Sequence, residues 1–294
     1  MFAPFFILNF PMDPKYLKSI LLMTVSSLSF AIMSLMVRLA GELPLFEKVL
    51  FRNLFSLLIA FVIILREKAS FTGKKENRKY LLLRGITGLA GVILYFFSLS
   101  RMNLSDATML NKMSPFFVII FASFFLKERM NRYQIGGIIV AFLASLLIIK
   151  PHFEMTLLPA LLGLGSAFFA GFAYTVIRLL KLRGESSATI VFYFSLISFI
   201  VVLPIAVFNF IPPTPLQWLY LAGIGIFAAF GQLFMTQAYF YARASDIAPF
   251  KYLHVLFAAL IALIFLGEKM DILSILGSAI IILVFFYLYK KRCV

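Results

Sequence analysis

The sequence predicts an all-α fold: a polytopic membrane protein of ten transmembrane helices, arranged as two inverted repeats of five. Three observations predict it. The composition is 63% hydrophobic and 13% charged with a mean hydropathy of +1.02, more apolar surface than a soluble domain keeps from water. The apolar residues fall into about ten continuous runs of near twenty residues, the length that crosses a hydrocarbon core of about 30 Å. The chemistry of the first half recurs in the second at a constant shift of 140 residues. Strands of a membrane β-barrel would instead alternate over about ten residues.

The helices are expected in order along the chain. Helix one (17–40) follows Asp13-Pro14-Lys15 and ends near Arg38. Helix two (46–66) carries Arg52. Helix three (80–100) has Gly85, Gly88 and Gly91 at a spacing of three. Helix four (106–126) opens at Ser105-Asp106 and contains Asn111-Lys112. Helix five (132–150) starts behind Asn131, and Asn131-Arg132-Tyr133-Gln134 approximates a capping box. Helix six (157–180) keeps a small-xxx-small pattern at Gly163, Ala167 and Gly171, the kind that lets helix backbones approach in lipid. Helix seven is 188–208. Helix eight (216–240) carries Gln232, Gln237 and Tyr239. Helix nine (246–266) opens at Ser245-Asp246 and contains Lys251, Tyr252 and His254. Helix ten (272–290) starts behind Asp271. Short polar side chains at Asn131, Asp271, Ser105-Asp106 and Ser245-Asp246 are expected to cap the helices they precede.

The repeat is read at four separated places. Arg38-Leu39 answers to Arg178-Leu179, Gly85 and Gly91 to Gly225 and Gly231, and Ser105-Asp106 to Ser245-Asp246. Leu126 and Glu128 answer to Leu266 and Glu268, and Gly137 to Gly277. Five crossings per unit make the second unit enter from the opposite side, the arrangement by which many secondary transporters build a central site. The expected organisation is a segment 1–16, a first repeat 17–150, a second repeat 157–290 and a tail 291–294.

Charge orients the bundle. With the N-terminus in the cytoplasm, seventeen Lys and Arg fall in the inner segments and three (Arg101, Lys150 and Lys269) in the outer loops. Both termini are therefore expected to be cytoplasmic, in a plasma membrane. The net charge of +15 does not point to nucleic acid, because the basic residues sit mainly in short loops on one side. The single cysteine, Cys293, excludes an internal disulfide and a thiolate metal cluster. No cofactor and no metal are expected. The run Phe2 to Phe10 is apolar but too short to span, with no positive n-region and no small-residue cleavage site. A secretory signal is not expected there, and the first eleven residues are read as disordered or interfacial.

Asp106-Ala107-Thr108, Ser114-Pro115, Phe125-Leu126-Lys127-Glu128-Arg129 and Gly136-Gly137 resemble helices four and five of drug/metabolite transporters of the EamA type. Ile247-Ala248-Pro249, Tyr252, Leu266-Gly267-Glu268-Lys269 and Gly277 resemble the matching part of the second repeat. Arg52 resembles an arginine found early in helix two of that family. The resemblance covers about residues 17 to 290. It implies a ten-helix bundle with a central cavity lined chiefly by helices one, three, four, six, eight and nine. It also implies substrates such as amino acids, S-adenosylmethionine, other metabolites or sugar-like solutes. Lys112 departs from the pattern, standing where many relatives are apolar or small.

Ionisable groups inside a bilayer are costly and need a partner, a wet cavity or a route to the surface. Lys112 and Lys251 occupy nearly equivalent places, since 111 + 140 = 251. They are expected to approach a cavity from opposite halves, with snorkelling as the bland alternative. Arg52 is a site candidate or the partner of Glu42 or Glu47. Arg38 and Arg178 lie near helix ends and are read as snorkelling. Tyr95, Asn111, Tyr174, Gln232, Gln237, Tyr252 and His254 supply further polar groups at membrane depth. His254 alone reads more simply as a hydrogen-bonded structural residue.

The expected spans hold Lys and Arg away from their ends and no Asp or Glu there. That sign pattern predicts a substrate carrying a carboxylate or phosphate, amino-acid-like, zwitterionic or anionic, moved by alternating access. The expected partners are that small metabolite and the lipid bilayer, and a homodimer is compatible with the reading. A channel or scramblase is the competing function. A membrane-embedded enzyme is disfavoured, because the chain has no His-Glu-x-x-His, no Gly-x-Gly-Asp and no acidic cluster, and its two histidines are far apart.

Overall fold

The computed structural model describes residues 13–99, 101–102, 104–128, 131–152, 156–267 and 270–293. Two expectations fall outside these residues: the disordered or interfacial start and the role of Glu268. The first repeat comprises α1 (Pro14–Leu39), α2 (Leu45–Glu67), α3 (Arg78–Leu99), α4 (Leu104–Asn111), α5 (Ser114–Leu126) and α6 (Arg132–Ile149). The second comprises α7 (Leu157–Leu182), α8 (Ser187–Phe208), α9 (Pro215–Tyr241), α10 (Ala244–Ile247), α11 (Leu253–Phe265) and α12 (Ile272–Cys293). A 3₁₀ turn over Ala248–Tyr252 joins α10 to α11. Among the described residues no strand occurs, and ten spans are long and apolar enough to cross a membrane. The fourth is α4 with α5; the ninth is α10 through α11.

The extensive helix pairings all join one repeat to the other. α1 packs along α9, and its repeat equivalent α7 packs along α3. α2 packs on α8 and α6 on α12. α2 also meets α9 as α8 meets α3, and α5 lies on α7 as α11 lies on α1. Repeated glycines sit at these crossings. A Cβ on Gly91 would stand 3.2 Å from the Ser166 carbonyl of α7, and one on its counterpart Gly231 would stand 3.0 Å from the Phe30 ring of α1. Gly137 faces Leu288 of α12, and Gly277 faces the Ala144 carbonyl of α6. Small residues thus make the close approaches that lipid does not drive. Gly85, Gly88 and Gly91 do not share one neighbour. The first two face α8 and the third faces α7, because a spacing of three drifts around a helix of 3.6 residues per turn.

Helices four and nine are not continuous, which corrects the expectation of two unbroken spans. Pro115 has no amide hydrogen, so the Asn111 carbonyl loses its helical donor and the chain turns at Lys112–Met113. The Phe116 amide bonds back to Met113 at 3.0 Å, which frees the Lys112 carbonyl. Pro249 stands at the start of the 3₁₀ turn in helix nine and removes the donor for Ser245 in the same way. The two interruptions fall in corresponding places of the two repeats.

The capping expectations divide. Gln134 Oε1 accepts from the Asn131 amide at 2.9 Å, and Asp271 Oδ1 accepts from the Ser274 amide at 3.0 Å. Asp106 and Asp246 lie inside α4 and α10 and tie to other segments instead. Asp106 Oδ1 accepts from the His152 amide at 2.7 Å. Asp246 accepts from Arg243 Nε at 3.0 Å and from Gln134 Nε2. Ser245 donates through its amide and hydroxyl to Glu128 Oε2, at 3.2 and 3.1 Å. Each of these carboxylates is buried, so several hydrogen-bond partners serve it better than one helix terminus.

Candidate functional site

The two helix breaks meet. The Tyr252 hydroxyl donates to the freed Lys112 carbonyl at 2.9 Å, and these two residues are 140 positions apart. One repeat therefore completes the backbone bonding of the other at equivalent points. Lys112 Nζ and His254 Nδ1 stand 2.9 Å apart, a hydrogen bond that crosses from helix four to helix nine. With Nδ1 accepting, the ring proton sits on Nε2, on a ring that also lies against the Phe30 backbone of α1.

Lys251 lies 3.5 Å from the centroid of the Tyr174 ring, and that ring stacks on Tyr239 at 5.9 Å with 13° between planes. The lysine is thus held by a ring quadrupole rather than by a carboxylate. The Arg52 guanidinium lies 5.9 Å from the Phe194 ring centroid. Among the described residues it pairs with neither Glu42 nor Glu47. The Glu47 carboxylate instead accepts from the Ile211 amide at 3.4 Å. Lys112, Lys251, His254, Tyr174 and Arg52 are all half-buried, while Tyr252 is fully buried. The described carboxylates of the ten spans, Glu47, Glu67, Glu76, Asp106 and Asp246, stand at or near span ends.

The other candidates do not all converge on this cluster. Tyr95 bonds Thr108 at 3.2 Å between α3 and α4, and Asn111 donates to Ser166 of α7 at 3.1 Å. Gln232 is buried with its side-chain Nε2 unpartnered among the described residues, and Gln237 is half-buried. Lys112, His254 and Tyr252 form one contact group, and Lys251, Tyr174 and Tyr239 another. A groove of about 590 Å³ between α6 and α12, lined by Tyr133, Gly136 and Leu283 among others, contains none of these residues.

Two features lie outside the set that the sequence singles out. Arg84, roughly two turns into α3, is buried beside the Phe194 ring at 4.4 Å. The signal for it is Gly88, one turn on, whose missing side chain leaves room for the guanidinium. Arg178 does not snorkel. Its Nε stands 3.5 Å from Glu128 Oε1, and its Nη1 donates to the Phe240 carbonyl at 3.1 Å. The register pairing of Arg178 with Arg38 marks its place but not its partner. Arg38 itself is exposed at the end of α1, as a snorkelling residue would be.

Ten apolar spans in two repeats, with both repeats interrupted where half-buried lysines stand, fit a multi-pass membrane transporter. The chain belongs to the EamA-like transporter family, whose description matches residues 17–150 and 157–289. It is 34% identical over 266 residues to the pseudopaline exporter of Pseudomonas aeruginosa, covering 90% of this chain and 93% of that protein. It is 26% identical over 282 residues to the S-adenosylmethionine uptake transporter of Rickettsia prowazekii, covering 94% of each. A solved crystal structure superposes with a TM-score of 0.80 at 14% identity, over 93% of this chain and 98% of that one, and shows the same fold. The family and these relatives make the chain a small-metabolite transporter and not an enzyme.

Proposed function

We propose that the protein is a carrier that moves a small, carboxylate- or phosphate-bearing metabolite, amino-acid-like or zwitterionic, by alternating access. The single observation that carries this reading is the meeting of the two helix breaks, with Lys112 and Lys251 at corresponding points and Tyr252 bonded to the Lys112 carbonyl. Interrupted helices at equivalent places of inverted repeats are where such folds hold their substrate. A lysine stacked on a ring, and another donating to a neutral imidazole, both exchange a weak partner for a substrate anion. Tyr174, Tyr252 and His254 then shape the pocket. Tyr95 and Asn111 set its α3–α4–α7 wall, and Gln232 and Gln237 its α9 wall.

The pairing pattern supports alternating access. All the extensive contacts run between repeats, so rocking one repeat against the other opens either end while the central cluster stays in place. The named relatives support a metabolite as cargo. One is an exporter and the other an uptake transporter, so direction does not come with the family. The seventeen-to-three distribution of Lys and Arg supports cytoplasmic termini, in a plasma membrane.

Counterflow in proteoliposomes, loaded in turn with anionic, zwitterionic and cationic metabolites, tests the reading. Exchange of carboxylate-bearing solutes is expected, with Lys112→Met and Lys251→Met each lowering apparent affinity about 10- to 100-fold, the worth of one charge-assisted bond. Exchange of cations alone would sink it, as would steady conductance in a planar bilayer.

A further inference from the structure

Arg84 is 2% exposed, yet its Nε and Nη1 have no hydrogen-bond partner among the described residues. A buried guanidinium carries five donors and cannot shed its charge, so unpartnered donors here are costly. Arg52 makes the problem worse. Its guanidinium and that of Arg84 lie 5.9 and 4.4 Å from the centroid of one ring, Phe194, so two like charges share a single aromatic neighbour. Among the described residues neither is paired with a carboxylate. The fold makes room for the arrangement: a Cβ on Gly88 would collide with Arg84 Nη1 and stand 2.9 Å from the Phe194 ring. The Tyr174 hydroxyl lies within electrostatic reach of both guanidinium groups and of Lys251, which joins this pair to the lysine cluster.

The missing element is a counter-charge, and a transporter has one source of it that comes and goes. We propose that Arg84 and Arg52 form a second anion subsite beside Phe194, so that the cargo carries two anionic groups, one held by the lysines and one by the arginines. This rests on the lysine-cluster reading of the substrate site. Arg84, the more buried of the two, offers a forked donor edge that suits a carboxylate oxygen pair. The Phe194 ring offers both guanidinium groups a cation–π contact when the subsite is empty.

Thermal unfolding of the full-length protein in detergent, at fixed ionic strength, tests it with acetate against malonate, succinate and glutarate. At least one dicarboxylate is expected to stabilise at a concentration about tenfold or more below that of acetate. Arg84→Gln is expected to erase that preference while leaving the acetate response, which Lys112→Met removes. Equal potency of acetate and all three dicarboxylates on the unmodified protein overturns the two-anion inference without recourse to any variant. A preference that survives in a folded Arg84→Gln protein overturns the part assigned to Arg84. Absence of any response to acetate or the dicarboxylates removes the lysine-cluster reading and this inference together.

Discussion

Two ion pairs hold the repeats together at opposite ends of the bundle, and they differ in almost everything except charge. At the end where α1 begins and α12 finishes, Glu128 of the first repeat meets Arg178 of the second with side chains 7% and 15% exposed. Ser245 and the Phe240 carbonyl complete that cluster. At the other end Lys150 meets Asp271 at 2.7 Å, with side chains 46% and 49% exposed. The shift of 140 turns the second pair into Lys290 and Asn131, an amide where the carboxylate stood, so this contact has no charged image at the opposite end. Inverted repeats share a backbone plan without sharing end chemistry. Burial, not the count of salt bridges, sets how much each pair is expected to contribute.

The largest effect should come from splitting the buried pair. Arg178→Leu leaves Glu128 buried and uncompensated, and a loss of about 3–5 kcal/mol is expected. Thermal unfolding in detergent reads it, and an unchanged midpoint would show that the two ends are equally loose. Next is the central tie between the breaks. Tyr252→Phe removes the hydroxyl that serves the Lys112 carbonyl and should cost about 1–3 kcal/mol, since a buried acceptor is left bare. A shift no larger than that of a surface substitution would argue against the bond. The exposed pair should matter least. Asp271→Asn is expected to shift the unfolding midpoint less than either buried change, and added salt should blunt even that.

The same exposed pair supplies a pH test. Hydrogen bonds from Lys150 and Ser274 pull the Asp271 carboxyl down from its ordinary 3.8 to about 2. A carboxyl depressed in the folded state contributes stability above pH 3.8 and loses it as pH falls toward 2. Comparing the parent with Asp271→Asn across that window should show the small difference vanish at the acid end. A gap that widens on acidification would reverse the assigned sign.

Much of the fold was legible because lipid imposes it. A run of twenty apolar residues has few alternatives to a spanning helix, and a fixed shift with an odd number of crossings leaves only inversion. The breaks in helices four and nine were less legible. Pro115 and Pro249 stand in the sequence, but prolines are tolerated within membrane helices where neighbours satisfy the freed groups, so they do not by themselves announce an interruption. Lys112, Lys251, Tyr252 and His254 were visible as ionisable or polar groups at membrane depth. Their partners were not, because each contact joins residues from different helices. Arg84 hid for a related reason: near the start of a helix an arginine reads as an interfacial anchor, and only the packed α8 with Phe194 shows that it turns inward.

The interleaving of the repeats has a consequence for biogenesis. α1 pairs with α9, α2 with α8 and α6 with α12, so the first half of the chain leaves the ribosome before its principal neighbours have been made. These three spans enter lipid before their partners exist and wait through the synthesis of more than a hundred further residues. For these spans insertion and assembly are therefore separate events in time, and the pairing of α6 is completed only by the last helix, α12.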